Sequence, residues 1–100
     1  MPEASAPTAA AVAPRIASLV PSLTELVVAL GLGGRLVART GYCIHPAGRV
    51  ESIPKVGGTK VVNLAKLRRL MATHVLLNRD ENRRETAEAM RAWGDDAPQI

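Results

Sequence analysis

The sequence predicts an α/β fold of the three-layer Rossmann-like type, in which a parallel sheet is flanked by helices. Short apolar runs alternate with helical patterns along the chain, as parallel sheets require. The core must be aliphatic, because the 100 residues include one Trp, one Tyr and no Phe. Residues 1–14 are rich in Ala and Pro without apolar periodicity, so we expect a disordered leader there and one folded domain over residues 15–100.

The first strand and helix are predicted from the segment that follows this leader. Residues 16–20 form a short apolar run ended by Pro21, and this length favours a buried strand over a helix. Ser22 and Glu25 have the spacing of a capping box, which predicts that a helix begins directly after the strand. Gly31 offers the left-handed conformation that commonly ends helices.

The middle of the chain predicts a second strand, a long loop and a second helix. Residues 35–39 indicate the strand, and residues 40–54 form an irregular segment with several Gly and Pro residues. Long loops in small domains are often functional, so this segment is the first place to look for a site. Asn63 predicts the cap of a helix that runs to about Met71.

The last third of the chain continues the same alternation. Residues 74–78 indicate a third strand, and Asp80 or Asn82 is expected to cap a helix that runs through Trp93. Residues 97–100 have the pattern of a fourth strand that stops as it begins, so we expect a truncated domain. Because crossovers between parallel strands are right-handed, the strand-to-helix connections all emerge at the carboxyl edge of the sheet, where open α/β sheets bind ligands.

Charge and composition argue against several function classes. The net charge of +4 is not arranged as a basic stripe interleaved with aromatic residues, so nucleic acid is not an expected partner. The Gly-rich segment 31–34 follows a helix and matches no phosphate-binding loop. No apolar run approaches the roughly 18 residues of a membrane span, so membrane insertion is not expected. Residues 1–14 lack the features of a signal peptide, which predicts a cytoplasmic location for the chain as written.

Cys43 and His45 support an alternative reading of the long loop. They stand two residues apart beside Tyr42, so a metal site or a thiol nucleophile is conceivable there. Two ligands do not fill a tetrahedral site, and a single cysteine excludes an intramolecular disulfide. The alternative function is therefore a small cytoplasmic enzyme or a metal-responsive protein that uses Cys43 and His45.

A series of motifs then points to a family. The motifs are RIASLVPSLTEL (15–26), TGYCIHP (40–46), IPKVGGTK (53–60), NLAKL (63–67) and THVLLNRDEN (73–82). In order and spacing they resemble the ABC-transporter substrate-binding proteins of the cobalamin and iron-siderophore class, also called helical backbone metal receptors. The resemblance covers residues 15 to about 95.

The resemblance implies a non-enzymatic protein with two lobes joined by a long helix, of which this chain is the amino-terminal lobe. The implied ligand is a cobalamin or a ferric siderophore, held between the lobes and delivered to a membrane permease. No resident cofactor and no directly bound metal ion are expected. A periplasmic location follows if a signal lies upstream of the chain.

The resemblance also implies which residues contact the ligand. Tyr42 matches a loop aromatic that lies against the corrin ring in cobalamin-binding relatives. Two positions depart from the family pattern: Thr59 replaces a Trp that stacks on the ligand, and Ala65 replaces a Glu that meets the permease. The expected ligand contacts, all at the carboxyl edge, are Pro21, Ser22, Tyr42, His45, Thr59 and Arg79.

Overall fold

The computed structural model describes residues 13–100, so the predicted leader lies almost entirely outside the described residues. Three strands alternate with three helices, in the predicted order. The elements are β1 (Ile16–Ser18), α1 (Pro21–Ala29), β2 (Leu36–Arg39), α2 (Leu64–Arg69), β3 (His74–Leu76) and α3 (Arg84–Arg91), with short 3-10 turns at Gly33–Arg35 and Gly94–Asp96. Each strand is one or two residues shorter than its apolar run, because the flanking residues already turn into the connections.

The three strands form a parallel sheet in the order β2-β1-β3. Ile16 of the central strand aligns with Leu36 on one side and with His74 on the other. Gln99 extends this sheet beyond β3, because the Val75 amide donates to its carbonyl oxygen at 2.8 Å. The chain end therefore begins to pair as a fourth parallel strand at Gln99, as the sequence predicts, and the α/β prediction is confirmed.

The core lies on both faces of the sheet, which gives the predicted three layers. Side chains of β3 alternate between the faces, since Val75 and Leu77 point to one and Leu76 to the other. One face packs α2 and α3, and its buried residues are Ala17, Leu19, Ala38, Val56, Leu67, Val75 and Met90. The other face packs α1, and its buried residues are Val27, Val28, Leu36, Val50 and Ile53.

The capping box predicted for α1 is wrong. The helix begins at Pro21, one residue before Ser22, and Val20 is its N-cap without a side-chain hydrogen bond. Proline suits this first position because its φ angle is already helical and it has no amide proton to satisfy. Gly31 ends the helix region with a φ of +80°, as the sequence predicts.

The other two predicted caps have different outcomes. Asn63 caps α2 as expected, since its side chain accepts from the Lys66 amide at 3.1 Å. Neither Asp80 nor Asn82 caps α3, which begins two residues later with Arg83 as its N-cap. The Asn82 side chain is engaged elsewhere, as shown below. Within residues 13–100, no helix has both the length and the hydropathy needed to cross a bilayer.

Candidate ligand-binding edge

The three strand-to-helix connections meet at the carboxyl edge of the sheet, as predicted. The Gly41 amide, just after β2, donates to the Gly57 carbonyl oxygen at 2.7 Å, which folds the long connection back on itself. The Asn82 side chain, after β3, donates to the Leu19 carbonyl oxygen at 3.1 Å and to the Thr59 carbonyl oxygen at 2.9 Å. All three connections are therefore linked by hydrogen bonds into one surface.

Arg39, the last residue of β2, holds the first part of the long connection in place. Its side chain is 4% exposed, and its guanidinium donates to the carbonyl oxygens of Ile53 and Cys43, each at 3.0 Å. A buried charge is costly unless its hydrogen-bonding capacity is used. The buried Arg39 guanidinium thus joins Cys43, near the beginning of the loop that carries Tyr42, to Ile53, near its end.

A tight turn over residues 57–62 lies beside this loop. Gly57 has a φ of +100°, and a Cβ atom there would lie 2.6 Å from the Val61 carbonyl oxygen, so the turn requires glycine. The Gly58 amide closes the turn by donating to that same carbonyl oxygen at 2.9 Å. Lys60 ties the turn to the next connection, because its Nζ donates to the Asp80 carbonyl oxygen at 3.1 Å.

Tyr42 lies against this turn and faces solvent. A Cβ atom at Gly58 would lie 3.4 Å from the Tyr42 Cε2 atom, so the ring lies beside Gly58. The side chain remains 68% exposed. Ile44 on the same loop and Val61 on the turn are also largely exposed. These three exposed side chains lie on two loops that the hydrogen bond from Gly41 to Gly57 links, so they are candidates for contact with a ligand.

The six predicted contact residues occupy this edge in different surroundings. Pro21 and Thr59 are half-buried; Pro21 begins α1, and Thr59 accepts a hydrogen bond from the Asn82 side chain. No hydrogen bond between described residues links the six side chains to one another. The remaining four residues of the set are exposed: Ser22, Tyr42, His45 and Arg79.

Cys43 does not share the surroundings of its neighbour His45. Its side chain is fully buried, with Sγ 3.1 Å from the Thr40 hydroxyl and 3.9 Å from the Ser18 carbonyl oxygen. His45 is exposed on the outside of the loop. Over residues 13–100, no three His, Cys, Asp or Glu side chains are grouped to hold a metal ion. The interpretation in which Cys43 and His45 act together is therefore not supported by the geometry.

The loop also contains an electrostatic contact at Glu51. Its carboxylate accepts from the Gly48 amide at 2.9 Å, and this hydrogen bond lowers the pKa of Glu51 below its ordinary value. The buried Arg39 guanidinium contributes in the same direction. The Glu51 side chain is exposed, and its hydrogen bond to the Gly48 amide shapes the turn there.

Four residues of this edge were not found from the sequence. Arg39 ends an apolar strand pattern, and a charge in that position is the signal that could have shown it. Asn82 matched a helix cap, which concealed its long-range role. Ile44 and Val61 are apolar residues in loop segments, which is the pattern expected of an exposed contact surface.

Comparison with known proteins shows relatives of both sequence and fold. The vitamin B12-binding protein of Photorhabdus laumondii subsp. laumondii is 32% identical over 80 residues, which are 80% of this chain and 29% of that protein. No protein-family model matches the chain.

Two solved structures share the fold. The apo form of the periplasmic heme-binding protein RhuT from Roseiflexus sp. RS-1 superposes with a TM-score of 0.79 and 27% identity, over 88% of this chain and 33% of that one. The periplasmic vitamin B12 binding protein BtuF of Vibrio cholerae superposes with a TM-score of 0.72 and 30% identity, over 80% of this chain and 31% of that one.

The chain spans about a third of the length of these relatives, which are binding proteins by name. Sequence and fold agree on the same group, and the motifs at residues 15–82 had indicated it. The resemblance is confirmed: this chain is related in sequence and fold to part of the periplasmic vitamin B12- and heme-binding proteins.

Proposed function

We propose that the chain forms part of the substrate-binding component of an ABC transporter and that its carboxyl edge contacts a tetrapyrrole metal chelate such as cobalamin or heme. The chelate is cargo rather than a resident cofactor, and no covalent step is involved. A component of this kind works outside the cytoplasmic membrane, so the proposal includes a periplasmic location. Ferric siderophores are the second ligand class that the motifs imply.

The observation that carries the proposal is the placement of Tyr42. Its ring lies beside Gly58 and is mostly exposed, at the edge where parallel sheets bind ligands. An aromatic side chain offers a large flat contact at a low cost in conformational entropy. A tetrapyrrole presents a flat apolar face that such a ring can cover, and the same two loops carry the exposed apolar side chains of Ile44 and Val61.

The remaining residues of the edge suit the periphery of such a ligand. Tetrapyrroles carry amide or carboxylate side groups around the ring, and the exposed donors of Ser22, His45 and Arg79 can meet them. Thr59 supplies a small polar contact on the turn. The carboxylate groups of heme favour Arg79, whereas the amides of cobalamin can use any of these donors.

The second proposed partner is a membrane permease. Ala65 is exposed on α2, and the last turn of the same helix contains Lys66, Arg68 and Arg69. A permease that docks on this helix is expected to present acidic residues, since opposite charges favour encounter.

The function is tested by calorimetric titration of the chain with cyanocobalamin, hemin and ferrichrome, a ferric siderophore. We expect binding of at least one tetrapyrrole, and Tyr42→Ala to weaken it about tenfold through loss of the flat contact. Tyr42→Phe keeps the ring and is expected to bind nearly as well as the parent chain. Leu30→Ala is the matched control, because Leu30 is comparably exposed but lies at the opposite edge.

Each outcome has a separate meaning. Binding of ferrichrome alone would move the proposal from tetrapyrroles to siderophores. Binding of none of the three ligands would contradict the proposed function. Equal affinity of the parent chain and Tyr42→Ala would remove Tyr42 from the site.

A further inference from the structure

Asn82 uses the hydrogen-bonding capacity of its side-chain amide at the point where the three connections meet. The side chain is 3% exposed. Its Oδ1 atom accepts from the Asn78 amide at 2.8 Å, and its Nδ2 atom donates to the carbonyl oxygens of Leu19 and Thr59. Two acceptors and one donor thus surround one amide, which fixes both its orientation and its residue type.

The three partners belong to three different connections. Leu19 lies between β1 and the start of α1, Thr59 lies on the turn beside the Tyr42 ring, and Asn78 follows β3. Among the hydrogen bonds between described residues, those of the Asn82 side chain are the ones that reach both Leu19 of the first connection and Thr59 of the second. Asn82 therefore sets how far the Thr59 turn stands from the start of α1.

We propose that Asn82 is a positioning residue for ligand binding, which holds Tyr42, Thr59 and the start of α1 as one preorganised surface. The inference rests on the proposed function and goes beyond it by assigning affinity to a residue that does not touch the ligand. A preformed surface binds more tightly because ordering its loops costs nothing at the moment of binding. Asn82 is buried and therefore orders these loops without contacting the ligand itself.

Two substitutions of Asn82 distinguish the effect of its hydrogen bonds from the effect of its side-chain volume. Asn82→Ala leaves the Leu19 and Thr59 carbonyl oxygens and the Asn78 amide without their side-chain partner. Asn82→Asp keeps the shape and the acceptor for Asn78, but the ionised carboxylate cannot donate to either carbonyl oxygen. Both variants are expected to release the 57–62 turn, and loss of affinity in the Asp variant would show that donation, not volume, is what matters.

The measurement is the affinity for the tetrapyrrole that the parent chain binds, together with thermal stability. We expect both Asn82 variants to lose about tenfold or more in affinity, because in each of them the Leu19 and Thr59 carbonyl oxygens lose their donor. Asn78→Ala is the matched control, since within residues 13–100 that Asn side chain makes only a local hydrogen bond, to the Asp80 amide. Val75→Ala is the control for stability, because it opens the core without touching these hydrogen bonds. It should lower the melting temperature and leave affinity unchanged.

Retention of parent affinity by folded Asn82→Ala would overturn the inference while leaving the proposed function intact. Equal loss of affinity in Val75→Ala and Asn82→Ala, at equal loss of stability, would also overturn it, because the effect would then be general. A parent chain that binds no chelate contradicts the proposed function instead.

Hydrogen exchange on the parent chain tests the coupling without any variant or ligand. If Asn82 holds the connections together, the amides of Leu19, Asn63 and Asn82 open with one common free energy and one common dependence on denaturant. These amides all donate to backbone oxygens near the junction. Independent opening of the Asn63 amide would show that the turn moves on its own, and it would overturn the inference.

Discussion

At each edge of the sheet, one arginine donates hydrogen bonds to two backbone carbonyl oxygens of a connection. At the carboxyl edge, Arg39 is buried and bonds the carbonyl oxygens of Ile53 and Cys43. At the amino edge, Arg15 is exposed and bonds those of Leu70 and Met71, at 2.7 and 3.2 Å. The contacts have the same chemistry, but only those at the carboxyl edge are shielded from water.

This difference in burial makes the Arg39 contacts more important for loop shape than the Arg15 contacts. Water can replace Arg15 at the amino edge, so loss of that contact leaves its carbonyl oxygens solvated. Removal of Arg39 leaves buried carbonyl oxygens with no partner, which costs far more. Asn82, also at the carboxyl edge, is likewise buried and donates to two backbone carbonyl oxygens, those of Leu19 and Thr59. Buried polar contacts of this kind rigidify the loops that carry Tyr42 and Thr59.

Of the predicted differences in stability between the two edges, the largest is expected from substitution of glycine. Gly57→Ala at the carboxyl edge combines a positive φ with a Cβ atom 2.6 Å from a backbone oxygen, so the free energy of unfolding should fall by about 3 kcal/mol. Gly31→Ala at the amino edge has the positive φ but open space around its Cβ atom, and should cost only about 1 kcal/mol. Urea denaturation measures both values, and equal costs would contradict the close approach at Gly57.

The two arginines provide the next largest effect. Arg39→Met is expected to lower the free energy of unfolding by about 2 kcal/mol, because two buried carbonyl oxygens lose their donor while the cost of burying a charge is relieved. Arg15→Met should lower it by less than about 0.5 kcal/mol, as is usual for exposed sites. Chemical denaturation of both variants checks the pair. A larger loss of unfolding free energy for Arg15→Met than for Arg39→Met would contradict the greater importance of the buried contacts.

The smallest expected effect concerns pH. The Gly48 amide lowers the pKa of Glu51 below its ordinary value of 4.5, so the ionised carboxylate stabilises the folded loop. That stability is fully present above pH 4.5 and is lost as the pH falls through the lowered pKa. An NMR titration of the Glu51 carboxyl carbon should give a midpoint below 4.5, and Glu51→Gln should abolish this part of the acid dependence. A midpoint at or above 4.5 would exclude the Gly48 contact.

Local sequence patterns were sufficient for the elements of the fold. Short apolar runs predicted all three strands, Asn63 predicted the start of α2, and Gly31 predicted the end of α1, because each signal acts within a few residues. The capping box at Ser22 failed because Pro21 begins the helix one residue earlier without needing a cap. Competing local signals of this kind move an element boundary but do not change the element.

The site was less predictable because its organisation is not local. Tyr42 was found from its loop and from the family motif, and its exposure agrees with that role. Asn82 was assigned to a helix cap, since the pattern beside it allows one, yet its partners Leu19 and Thr59 lie 63 and 23 residues away. Nothing within a helical turn of Asn82 indicates such partners. Only the packed topology brings them together.

The measurement that tests the central claim most directly is hydrogen exchange of the chain with and without saturating cyanocobalamin. If the carboxyl edge is the ligand-contacting surface, amides of residues 41–46 and 57–62 gain protection, while those of residues 71–75 at the amino edge do not change. Hemin replaces cyanocobalamin if calorimetry shows that the chain prefers it. Protection that appears at residues 71–75, with none at residues 41–46, would contradict the assignment of the ligand to the carboxyl edge.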